Sequence, residues 1–264
     1  MTSRKGVGTL SVVAVVAFSL WTTGALSQAP ARGIGRLHGG ADLGVVSKYI
    51  WRGYTQNDDF ALQPDVYLRY GNFLASIWGS VDMTDREDIG IDSRGDFSEI
   101  DYVFQYTIPA RLINLTFGYS FYTYPNTPDE LRDSTQEVYA RGAFKVLLDP
   151  TVEMYFDTDE VEGWYGRVSA TYTQMQNSQA WKLRGSVGFA SEEFANYYFG
   201  SQLPLFDSTS FCDLEVRLYT TFNLGMNFAV EPFVALSYLL DSEIRDAYND
   251  DVEFFGGLNV SWAF

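Results

Sequence analysis

From Ser98 to Ile108 the chain reads S-E-I-D-Y-V-F-Q-Y-T-I. Ile100, Tyr102, Phe104, Tyr106 and Ile108 fall on one parity, and Glu99, Asp101, Gln105 and Thr107 on the other. Successive side chains of a strand point to opposite faces, so this segment has one apolar and one polar side. The same alternation recurs in 138–148, 181–189, 214–222 and 252–264, and no helical period competes with it over a comparable length. About twelve such strands are expected, near 42–53, 62–70, 73–83, 97–108, 112–124, 135–148, 151–156, 163–174, 180–190, 210–222, 226–239 and 252–264, an even number as in bacterial barrels. The seventh is short for a membrane span. Pro232 lacks an N–H in the eleventh, which predicts a bulge there.

Charge decides what the apolar parity faces. In this register the acids Asp42, Asp65, Asp82, Glu99, Asp101, Glu137, Glu153, Asp213, Glu215, Glu231 and Glu253 all take the polar parity. So do the bases Lys48, Arg52, Arg69, Arg141, Lys145, Arg167, Lys182, Arg184 and Arg217. The other parity carries no charge, as a surface against hydrocarbon requires, because a Lys or Arg at the midplane there costs about 2–4 kcal/mol.

The connections sort in the same sense. Short ones at 71–72, 109–111, 149–150, 175–179 and 223–225 alternate with longer, acid-rich ones at 54–60, 84–96, 125–134, 157–162, 191–209 and 241–251. Short turns on one rim and long loops on the other predict an all-β fold, a transmembrane antiparallel up-and-down β-barrel with both termini periplasmic. At the N-terminus, Arg4 and Lys5 precede an apolar stretch and the small residues Ala25-Leu26-Ser27, which reads as a signal peptide over 1–27. A periplasmic segment over 28–40 and a barrel over 41–264 are expected to follow, in the outer membrane.

The stretch S-K-Y-I-W-R-G-Y, residues 47–54, then reads as the end of the first strand. Tyr49 and Trp51 are expected to face lipid near the outer interface, and Lys48 and Arg52 a wet interior. Trp181, Trp262 and Phe264 are expected in a second aromatic girdle at the periplasmic end. The terminal Phe264 resembles the signal read by the barrel-assembly machinery.

A formal charge of -16 excludes nucleic acid as a natural partner. The single Cys212 forbids an internal disulfide framework and reads as a small apolar filler. Barrel hydrolases use a histidine, but the only one, His38, lies before the first expected strand, so no catalytic residue is assigned. Acidic runs such as 157–162 lack the spacing of a known calcium loop and read as a rim bridged through cations to lipopolysaccharide. No metal or cofactor is expected.

The polar parity carries the functional expectation. Lys48, Arg52, Asp65, Arg69, Glu99, Asp101, Glu137, Arg141, Lys145, Arg167, Lys182, Arg184, Glu215 and Arg217 are the candidates to line a pore or its constriction. Such charges need either water or one another. A channel for small hydrophilic solutes or ions, cation-preferring because of its acidic mouth, is weighed against a salt-bridged, non-conducting barrel that acts through its loops. The segments S-K-Y-I-W-R-G-Y-T-Q, A-L-Q-P-D-V-Y-L, G-N-F-L-A-S-I-W-G-S-V-D, E-I-D-Y-V-F-Q-Y and G-Y-S-F-Y-T-Y-P-N resemble the N-terminal half of the TorF family of porins. The resemblance implies an outer-membrane barrel and a porin role without naming a solute, and it singles out Arg52, Gly53, Gln56, Gln63, Trp78 and Tyr124.

Overall fold

The computed structural model describes residues 37–84, 94–126, 133–176, 179–200, 209–247 and 251–264. The alternating segments form β1 (Leu37–Val46), β2 (Tyr49–Trp51), β3 (Tyr54–Asn57), β4 (Ala61–Tyr70), β5 (Phe73–Asp82), β6 (Phe97–Pro109), β7 (Ile113–Thr123) and β8 (Thr135–Phe144). They continue with β9 (Thr151–Asp157), β10 (Trp164–Gln176), β11 (Gln179–Ala190), β12 (Ser210–Thr220), β13 (Phe222–Gly225), β14 (Phe228–Leu239) and β15 (Val252–Ala263). Two short helices, α1 (Glu192–Phe199) and α2 (Ser242–Ala247), sit in the connections after β11 and β14.

From β4 to β12 each strand pairs antiparallel with the next; β1 joins β4 to β15, and β14 joins β15 to β12. The ladder therefore closes, giving a 12-strand antiparallel barrel. Closure removes the unpaired edge that a sheet in hydrocarbon could not tolerate. The seventh barrel strand, β9, is complete enough to pair with both neighbours.

Pro232 is accommodated differently from the expected bulge. β14 keeps one register against β15 straight through Pro232, which faces Leu258. It is the partner strand that breaks: pairing with β14 ends at Tyr219↔Phe233 and resumes at Phe222↔Val230 in the same register. The missing N–H falls opposite this gap, so β12 and β13 are one strand interrupted at Thr221.

Outward-facing side chains are apolar and well exposed, among them Val66, Ile77, Phe104, Phe117, Val168, Leu183, Leu218 and Val234. Tyr70, Phe73, Tyr106, Trp181, Trp262 and Phe264 are exposed at one rim. That rim carries the short turns and both ends of the described chain, since Leu37 pairs with Tyr70 and the Phe264 N–H bonds to the Gly39 carbonyl. Val66 lies in the middle of β4 and is 54% exposed. Val66→Arg should therefore cost about 2–4 kcal/mol of stability in a bilayer, read from urea-unfolding midpoints of the refolded barrel. An unchanged midpoint would mean this face does not meet lipid.

The first strand departs from expectation at both ends. It starts at Leu37, so residues 37–40, including an exposed His38, belong to the barrel and not to a linker. It stops at Val46, so 47–53 leave the wall. The expected signal peptide over 1–27 lies outside the described residues, as do many of the loop acids.

Candidate functional site

The chain turns inward at Ser47, whose N–H bonds to the Gly256 carbonyl and whose hydroxyl accepts from the Gly256 N–H. Lys48 is fixed there by Glu253 at 2.7 Å. Beyond it, β2 and β3 form a sheet of their own, paired only with each other. Arg52 and Gly53 form the tip, with φ of 50° and 82°. Two consecutive left-handed residues make the primed turn whose twist suits a tight hairpin. A Cβ on Gly53 would lie 2.8 Å from Asp213 Cβ and 3.0 Å from Leu239 Cδ2, so the tip has crossed the bore to β12 and β14.

This placement corrects the expectation for Tyr49 and Trp51. Neither faces lipid: they are 3% and 6% exposed, inside the barrel. The Tyr49 hydroxyl donates to Glu99 at 2.7 Å, and its ring lies 5.7 Å from that of Trp78. Trp51 packs edge-on against Tyr198 of α1 at 4.6 Å and lies 5.8 Å from Phe194. The physical reason is that β1 ends at Val46 and the chain turns inward at Ser47, so the hairpin with its tip at Arg52-Gly53 buries aromatic area that a lipid-facing strand would leave outside.

α1 closes over the hairpin. Ser191 caps it by accepting from the Phe194 N–H, and the buried face of Phe194, Tyr198 and Phe199 meets Trp51 and Tyr54. The connection 191–209 therefore folds inward over its described part, while 201–208 lie outside the described residues. Ile244 of α2 is buried in the same aromatic cluster.

At the centre is Arg52. Its guanidinium donates to both Glu137 oxygens, at 2.6 and 2.8 Å, and Tyr122 also donates to Glu137 at 2.8 Å. The cation lies 4.4 Å from the Trp51 ring centroid, 4.3 Å from Tyr155, 4.6 Å from Tyr165 and 5.4 Å from Phe194. A bidentate carboxylate and four ring faces hold one charge in a dry setting.

Around this plug one wall is mainly acidic and the other mixes arginines with acids. On one side Asp42 faces Asp65 across β1 and β4, and Trp78 separates Asp65 from Asp101. Glu99 of β6 lies on the same wall, and Arg69 of β4 lies near the short-turn rim. Half a circuit away in strand order, β8 to β12 carry the arginines. Glu153 lies between Arg141 at 3.4 Å and Arg184 at 3.8 Å. Arg167 reaches Asp213 at 3.5 Å, and Arg217 reaches Glu215 at 3.2 Å. Tyr165 donates to Asp213 at 2.7 Å and accepts from the Arg167 Nε–H at 3.0 Å. Gly188 makes room for this junction, because a Cβ there would collide with Asp213 Oδ1.

Toward the short-turn rim the bore loosens. Arg69, Thr107, Arg141, Thr171 and Lys182 face inward yet keep part of their exposure. Lys182 lies 5.4 Å from the Tyr219 ring centroid. Lys145 is the exception among the expected lining residues: β8 ends at Phe144, and Lys145 is an exposed turn residue donating to the Ala110 carbonyl. Cys212 is fully buried in the cluster beside the plug. Among the described residues no group of three or more His, Cys, Asp or Glu is placed to hold a metal ion.

The reading from sequence missed Tyr155, Tyr165, Phe194 and Tyr198. Tyr155 shares its parity with Glu153 and Asp157, and Tyr165 with Arg167. An aromatic residue in phase with wall charges was the available signal for an inward-facing ring.

No protein-family model matches the chain, and no curated protein sequence does. Solved structures do. The KdgM porin is 11% identical, with 85% of this chain and 99% of that one aligned at a TM-score of 0.50. An outer-membrane channel from Pseudomonas putida is 8% identical, covering 88% of this chain and 96% of that one, also at 0.50. What the chain shares with these outer-membrane proteins is the closed barrel architecture.

Proposed function

We propose that the chain is an outer-membrane, porin-like channel for small hydrophilic solutes or ions, closed on its long-loop side by the β2–β3 hairpin. One observation carries this reading: the closure consists of a hairpin hydrogen-bonded as a sheet only to itself and seated by side chains. It can leave without breaking a rung of the barrel ladder. A purely structural fill would have no need to be separable. The likeness in fold to known porins supports the same reading.

In this proposal the long loops face outward, toward lipopolysaccharide, and the short-turn rim faces the periplasm. The exposed Phe264 at that rim suits recognition by the assembly machinery. Cation preference is the finer part, supported by the acid wall of Asp42, Asp65, Glu99 and Asp101 and by the negative charge of the chain.

The test is a planar-bilayer recording of the refolded mature chain. Discrete openings are expected, with a reversal potential in a dilute KCl gradient on the cation side, moving toward zero as salt screens the wall. Anion preference would remove the selectivity part of the proposal; silence from a folded barrel, with and without its hairpin, would remove the channel itself.

A further inference from the structure

The box around the Arg52 guanidinium is almost entirely independent of the hairpin that fills it. Glu137 belongs to β8, Tyr155 to β9, Tyr165 to β10 and Phe194 to α1; only Trp51 comes from the hairpin. If Arg52 withdraws, the box keeps three ring faces and the Glu137 carboxylate, still held by Tyr122 but without its counter-charge. A carboxylate set among aromatic ring faces favours a cation that can bond both of its oxygens and lie against the rings. Arg167, a neighbouring cation 5.3 Å from the Tyr165 centroid, is already engaged with Asp213. Arg52 itself is held with φ of 50°, a left-handed conformation that a non-glycine residue adopts at a cost. A free solute would carry no such strain.

We propose that this box is a recognition site for a small organic cation of the guanidinium class, and that Arg52 is its built-in competitor. A solute presenting a planar, two-pronged cation displaces Arg52 from Glu137, and the hairpin, freed at its tip, leaves the bore. The site would then couple recognition to opening. The proposal rests on the reading of the barrel as a hairpin-closed channel, and it adds the class of solute.

The probe is methylguanidinium, titrated against refolded protein with tryptophan fluorescence as readout, Trp51 forming part of the box. Arg52→Ala empties the box and should bind the probe at least about ten-fold more tightly than the wild type, whose site is occupied by its own arginine. Arg52→Ala with Glu137→Gln should lose that binding. Should Arg52→Ala not refold, the wild type in a bilayer provides the second measurement: methylguanidinium should raise its open time several-fold, while sodium acetate and glucose leave it unchanged. Absence of tighter binding by folded Arg52→Ala, or absence of any effect on the wild type, overturns the proposal. A hairpin-less barrel that does not conduct, combined with tight binding by Arg52→Ala, would remove the channel reading and leave the site standing.

Discussion

Replacing residues 48–57 with a short Gly-Ser linker opens the barrel: steady conductance is expected where the wild type shows brief, infrequent openings. The seat of the hairpin is chemically concentrated at Arg52, which makes two charge-assisted hydrogen bonds to Glu137 and meets the rings of Tyr155, Tyr165 and Phe194. Removing both charges together, as Arg52→Ala with Glu137→Gln, avoids stranding a buried ion. The closed state would still lose on the order of 2–3 kcal/mol of hydrogen bonding and cation–π contact, which raises the ratio of open to closed by about 30-fold or more. The barrel should keep its heat-modifiable migration in gels, because no backbone hydrogen bond of the wall ladder is touched. Equal open times for wild type, double variant and linker variant would mean that the hairpin does not close the conducting path.

The barrel was legible because its two requirements are written in every strand. A surface against hydrocarbon excludes charge from one parity, and the count and sorting of the connections then fix an even, closed ladder. Hence strands such as β6 and β11 lie close to where alternation puts them. The plug was not legible by the same rule. Inside the barrel, aromatic and charged side chains share a face, so Tyr49 and Trp51 look like the lipid-facing phase of β1 continued. The contrary signal was short: Arg52-Gly53 between two alternating triplets is a hairpin signature, weaker than Asn-Gly because a bulky arginine resists positive φ. Only the contacts with Glu137 and the rings, far away in sequence, make that conformation worthwhile. The wall residues were identified by phase alone, so Lys145, in phase but beyond the end of β8, was included wrongly.

Glu153→Ala is expected to destabilise the folded barrel more than any other single change in the lower bore. Glu153 is 2% exposed and is the acid shared by Arg141 and Arg184, whose side chains are 13% and 2% exposed. Across β11 and β12, Arg184 directly faces Arg217, and Glu215 on that side is already engaged by Arg217. Removing one partner of a buried pair leaves an uncompensated charge and costs about 3–5 kcal/mol. Glu153→Leu with Arg184→Leu removes both and should recover most of that loss, the signature of a coupled pair. Lys145→Ala, an exposed turn residue, should leave the unfolding midpoint where it was. The readout is urea unfolding in lipid, paired with reversal potentials of a hairpin-less barrel, in which loss of Glu153 should move selectivity toward anions because the arginine wall is less compensated. If the midpoint of Glu153→Ala does not fall, water already reaches Arg184 and solvates it in place of the acid. The bore would then be open well above the short-turn rim, with the hairpin and α1 as its sole barrier.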